Sequence, residues 1–213
     1  MNPSSRKALR SALVLAAAAF MAVAFSTAQA KNVKKQNLVE LLAHTDSIVI
    51  GTVTGTTDGF QQGLPYTEIT VKVAQSVKGN HGETFTFRQF GLIEPKATGD
   101  GRVNLMVTPA GWPTYTKGES VMLFLHQPAS QTGFQTTAGL TQGKFSIRGG
   151  QVANDLRNEA MFEGVTINAK LSKAQQDLVK QSSGAYQADA FFALLRRAVE
   201  ENWIENGVMT DEN

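Results

Sequence analysis

Three histidines, His44, His81 and His126, are the residues of this 213-residue chain best suited to metal binding or proton transfer. Imidazole ligates transition metals and titrates near neutral pH. A metal centre needs three or four converging ligands. The histidines form no HxxxH, HxH or HExxH spacing that would place two of them on one face. His44 and Asp46 are close enough in sequence to share an ion. The simpler reading is a helix-end histidine beside a strand-start aspartate. His126 follows an apolar strand and reads as a rim residue. The chain has no cysteine, which excludes disulfides, thiolate metal sites and a cysteine nucleophile.

Phosphate and nucleophile motifs are equally weak. The run Gly139-Leu140-Thr141-Gln142-Gly143-Lys144 is one residue too short between its glycines for a phosphate loop. Phe145 stands where such a loop needs a hydroxyl for magnesium, and strands are expected on both sides of it. There is no G-x-S-x-G elbow and no D-x-D-x-D-G calcium loop. Asp58, Asp100 and Asp155 sit in turn-like contexts, where a carboxylate serves the backbone. Carboxylates paired for glycoside chemistry would meet in space, and no sequence signal marks such a pair. No catalytic residue, metal ligand or cofactor-binding residue is therefore assigned.

The elements that must position any site are mostly strands. Residues 33–46 predict a short amphipathic helix with Leu38, Leu41 and Leu42 on one face. Residues 47–54 are rich in β-branched side chains, and the strand is expected to stop at Gly55 and Asp58-Gly59. After Pro65, Ile69, Val71, Val73 and Val77 alternate with Glu68, Thr70 and Lys72, and Lys78-Gly79-Asn80 reads as a turn. Phe85 and Phe87 point inward on the next strand. Residues 121–126 are apolar on both faces, as in a strand covered on both sides. Strands are also expected over 134–138, 144–148 and 151–154. Ser172 and Gln175 have capping-box spacing for one helix, and Asp189 is placed to cap a second over 190–203. Phe191, Phe192, Leu195, Val199 and Trp203 form its apolar stripe, either packed on the strands or docked on a partner.

Residues 91–118 stand apart. They hold four prolines and glycines before residue 102 and four after it, too many for regular structure, with 103–107 reading as a short strand inside the loop. A connection this long is either functional or a mobile excursion. It carries Trp112 and Tyr115, which serve either as partner anchors or, for Trp112, as a plug for one end of the strands.

Residues 1–30 read as a secretory signal peptide. Arg6, Lys7 and Arg10 precede a 14-residue apolar run at 12–25, and Ala28-Gln29-Ala30 supplies the cleavage pattern. The run is short of the roughly 20 residues that span a bilayer. Cleavage between Ala30 and Lys31 is expected, giving a protein exported to the periplasm or the medium with no stable membrane insertion. The formal net charge is +2, and those three basic side chains account for more than all of it. The remainder has no electrostatic reason to bind nucleic acid or anionic lipid.

The stretch Ala43-His44-Thr45-Asp46-Ser47-Ile48-Val49-Ile50-Gly51-Thr52-Val53 resembles the opening of netrin-like modules, a group that includes the tissue inhibitors of metalloproteinases. Ile69-Thr70-Val71-Lys72-Val73 with Val77-Lys78-Gly79 is similar to their second strand. Lys117-Gly118-Glu119 before residues 121–125 is similar to a later one. With Gln142-Gly143-Lys144-Phe145 downstream, the pattern also resembles a group of exported bacterial proteins of unknown role. The resemblance covers residues 43–147 and implies an OB-type barrel that binds or inhibits an extracellular protease. It transfers no functional residue. The inhibitors present an N-terminal cysteine to zinc, whereas here about a dozen residues separate Lys31 from Ala43 and cysteine is absent.

The expected fold is therefore mainly β with helices (α+β): a small five- to seven-stranded OB-type barrel with an N-terminal helix over 31–167, and a C-terminal helical extension over 168–213 packed on it. The expected function is a non-enzymatic exported binding module for a protein or envelope partner. The alternatives are an exported hydrolase with an unrecognised site and a structural envelope component.

Overall fold

Two 15-residue strands, β1 (Ser47–Gln61) and β2 (Leu64–Lys78), form the longest feature of the fold. The computed structural model describes residues 34–97 and 100–212. Gln62 and Gly63 join the strands with φ of 53° and 78°, the two left-handed residues of a type I′ turn. β1 runs straight through Gly55 and Asp58-Gly59, where the sequence predicted a stop. Pairing with β2 supplies the order that these residues lack intrinsically. Register shifts near Ile48, Ile50 and Val53 mark bulges that bend the pair. At Gly51 a Cβ would lie 2.3 Å from the Lys72 carbonyl oxygen, so only glycine permits this approach.

The other described elements are α1 (Leu38–Ala43), β3 (Thr84–Phe90), β4 (Lys96–Ala97), β5 (Val103–Asn104), β6 (Ser120–Leu125), a 3₁₀ helix (Leu140–Gly143), β7 (Lys144–Arg148), β8 (Gln151–Asn154), β9 (Val165–Ile167), α2 (Lys173–Val179), β10 (Tyr186–Gln187), α3 (Ala188–Glu200) and β11 (Met209–Asp211). The main sheet is antiparallel and seven-stranded, in the order β10-β8-β7-β6-β1-β2-β3. Among the described residues the fold is thus mainly β with three α-helices, an α+β arrangement.

The sheet is open, with β3 and β10 as its edges, and does not close into the expected barrel. Residues 126–138 explain why. Pro128 and Gly133 interrupt this return, and the expected 134–138 strand makes only one isolated bridge to β6, Leu125 with Thr137. On its other side the Gln135 N–H donates to the Arg88 carbonyl of β3 at 2.8 Å. No ladder develops on either flank.

β6 is covered on both faces, as its sequence predicted. Met122 and Phe124 face a core shared with Leu38, Leu41, Phe145, Phe191, Leu195 and Trp203. Val121, Leu123 and Leu125 face a second core with Val49, Val53, Ile69, Val71 and Phe87. The helices close the first core. Asn37 caps α1 through a reciprocal box with Glu40, which starts the helix later than residue 33. Ser172 and Gln175 form the expected box on α2. α3 buries Phe191, Leu194, Leu195 and Ala198, although Asp189 lies within its first turn and does not cap it. Phe191 meets Phe145 at 5.7 Å and Tyr186 at 5.4 Å between ring centroids. Truncating it to alanine would cost about 3–5 kcal/mol.

The expected signal segment, residues 1–30, and its cleavage point between Ala30 and Lys31 lie outside the described residues. No helix among the described residues is long and apolar enough to cross a membrane.

Candidate functional site

The 91–118 loop is fastened to the sheet at both roots. At the first root, the Asp58 carboxylate of β1 accepts the Ile93 N–H at 2.9 and 3.0 Å. The Thr67 hydroxyl lies 3.0 Å from Asp58 Oδ1 and 2.8 Å from the Gly91 carbonyl. Asp58 thus serves the backbone, as expected, but from inside a strand. Gly91 has φ +100°, and a Cβ there would lie 2.6 Å from Thr108, so the two ends of the excursion touch at a glycine. Leu92 is buried and bridges Val107 in parallel. At the second root, the Gln89 amide donates to the Pro113 carbonyl at 2.9 Å, and Gly118 N–H donates to Val53 at 2.8 Å.

Between these roots the loop presents apolar side chains to solvent. Ile93, Val103, Leu105, Met106 and Val107 are all exposed, Leu105 to 71%. Phe60 and Leu64, at the tip of the β1–β2 hairpin, are the other exposed large apolar residues among those described. Asp58 links the two groups, because it lies beside the hairpin tip and holds Ile93. Single exposed apolar residues are ordinary, whereas a concentration of them in one segment marks an interaction surface. A pocket of about 180 Å³ adjoins the patch, lined by Ile93 and Val107 together with Gln89 and Tyr115.

The sequence reading assigned Val103–Val107 to a strand, and β5 covers only Val103–Asn104, paired with β4. Alternating apolar residues normally signal one buried face. Nothing local distinguishes that pattern from an exposed one.

Trp112 and Tyr115 are both half-buried. Tyr115 packs edge-on against Phe87 at 5.7 Å and borders the second core. Its hydroxyl is buried without a hydrogen-bond partner, and burial, with the nearby Glu119 charge, raises its pKa far above the usual phenol value. Trp112 lines a separate slot with Phe90 and Phe134.

The histidines gather at one end of the sheet. His44 precedes β1, His81 follows β2 and His126 follows β6. The His126 Nδ1 lies 2.8 Å from the His44 carbonyl oxygen. His81 packs edge-on to Phe85 at 4.4 Å, and its Nε2 is buried without a partner. Burial lowers its pKa, and Asp46 partly offsets this. Even so, no three His, Asp or Glu side chains among the described residues could hold one metal ion. His44 and Asp46 therefore have no third ligand there.

Sequence reading missed one buried polar cluster. Lys144 Nζ contacts both Glu119 oxygens at 2.8 and 2.9 Å and the Thr114 carbonyl at 2.6 Å. Ser146 adds a bond to Glu119 at 3.0 Å. All of these contacts tie the loop's end to β7.

The fold and surface define an α+β protein that carries an apolar loop on an antiparallel sheet. A scan against family models, a search of curated proteins and a search of solved structures each found no match.

Proposed function

We propose that the protein is an exported, non-enzymatic binding module whose 91–118 loop and β1–β2 hairpin tip hold a protein partner. The observation that carries this reading is the concentration of exposed apolar side chains on a loop anchored at both roots. The charges within the loop support a protein as the occupant. Glu94 and Asp100 offset Lys96 and Arg102, and Lys117 leaves a single net positive charge, too little to favour anionic lipid or nucleic acid. Export is supported by the signal-like pattern of residues 1–30. A protease as partner is supported by the netrin-like resemblance alone.

The test is crosslinking capture from envelope and medium fractions, read by mass spectrometry. It compares the natural protein with a Leu105→Asp, Met106→Asp variant. One dominant protein captured by the former and lost by the latter is the expected result. Equal capture by both would remove the loop from the reading.

A further inference from the structure

A second recess lies beside the loop's C-terminal root, between the 126–136 return and Trp112. Phe90, Trp112 and Phe134 give it apolar walls, and His126, Gln135 and Thr136 give it polar edges around about 270 Å³. The walls are held by hydrogen bonds. The buried Gln135 amide donates to the His126 carbonyl at 2.7 Å, and His126 N–H donates to Thr136 at 3.0 Å. Thr136 Oγ1 lies 3.3 Å from Gln89 Oε1. Phe134 packs on Tyr66 with 5.9 Å between ring centroids. A preformed apolar recess with a few fixed polar groups is the usual form of a ligand site. This one falls just below the roughly 300–1,000 Å³ of drug-sized sites and far exceeds the roughly 30 Å³ of a water, which suits a single ring.

His126 sets the polarity of recognition. Its Nδ1 faces the His44 carbonyl at 2.8 Å, and a carbonyl only accepts. Nδ1 therefore carries a proton, which leaves Nε2 as the ring nitrogen open to a ligand. In the tautomer that this contact selects, Nε2 is an acceptor and takes a ligand donor. No Asp, Glu, Lys or Arg lines the recess, so it offers nothing to a ligand charge of either sign.

We propose that this recess binds a neutral aromatic ring bearing a hydrogen-bond donor, a phenol or an indole. Edge and face contacts with Phe90, Trp112 and Phe134 hold the ring, and His126 Nε2 accepts from its O–H or N–H. The ring belongs either to a free small aromatic or to a Tyr or Trp side chain of another protein. This site is separate from the exposed apolar patch and stands or falls apart from it.

Calorimetric titration of the full protein tests it, with p-cresol, toluene and a capped Gly-Tyr-Gly peptide as probes. The expected result is saturable binding of p-cresol and about tenfold weaker binding of toluene, a difference of about 1.4 kcal/mol. His126→Phe should erase that preference while keeping the ring contacts. Trp112→Leu, which keeps an apolar side chain at this half-buried position but removes the ring, should abolish binding without shifting the unfolding midpoint. Peptide binding as tight as p-cresol assigns the ring to a protein side chain, and p-cresol binding alone assigns it to a free aromatic. Absence of p-cresol saturation at millimolar concentration overturns the proposal. So does equal affinity for toluene, or a phenol preference that survives in His126→Phe.

Discussion

Lys144 and Glu119 form a nearly buried ion pair, with Nζ 2.8 and 2.9 Å from the two carboxylate oxygens and only 10% and 14% of each side chain exposed. Lys144 also lies 5.1 Å from the centroid of the Tyr115 ring, so one ammonium satisfies a carboxylate, a carbonyl and an aromatic face. Removing one partner strands the other charge away from water. Glu119→Ala or Lys144→Ala should each cost about 3–5 kcal/mol, read by urea denaturation. The double variant should lose clearly less than the sum of the two. Additive losses would show that the pair is not a unit.

His81 makes stability depend on pH. Its neutral form is favoured in the folded chain, because burial holds its pKa below the unfolded value of 6.5. The unfolded chain therefore binds the proton more readily. The contribution is complete above the unfolded pKa and is lost as pH falls through the lower folded pKa. Urea midpoints should drop from pH 7.5 to pH 5 in the natural protein and drop less in His81→Phe. Superimposable pH profiles would dismiss His81 as the source.

Asp58 should govern the loop more than the sheet. Asp58→Ala leaves the Ile93 N–H without its partner and the Thr67 hydroxyl with only the Gly91 carbonyl, a loss of about 1–3 kcal/mol. Hydrogen exchange should quicken at Ile93 while β6 amides stay protected. Uniform acceleration across both would mean that the loop and the sheet open together.

Leu105→Asp should behave in the opposite way. Its side chain is mostly exposed, so stability should stay within about 0.5 kcal/mol. Binding of a hydrophobic dye should fall. An unfolding midpoint well below that of the natural protein would place Leu105 in a packed contact instead.

The elements that were legible in the sequence are those whose signals are local. The apolar run of β6 implied cover on both faces, and Met122 and Leu123 do face different cores. Ser172 and Gln175 announced α2 three residues apart. What escaped depends on distant partners. β1 continues past Gly55 because β2 pairs with it, and Lys144 meets Glu119 across a separation of 25 residues. The 134–138 alternation looked like a strand, yet its neighbours offer one bridge and one bond. The apolar patch escaped for a subtler reason. Val103, Leu105 and Val107 alternate as a buried strand would, and only the surrounding fold leaves them uncovered.

The two-residue turn at Gln62-Gly63 bears on the order in which the chain assembles. Closing it brings Gln61 against Leu64, and the whole β1–β2 ladder can then zip with little loop entropy to overcome. β1 meets β6 across a much larger separation, from 68 residues between Thr52 and Ser120 to 78 between Ser47 and Leu125. The hairpin is therefore the natural folding nucleus. Substitutions near the turn should slow folding, whereas those in β6 should mainly speed unfolding.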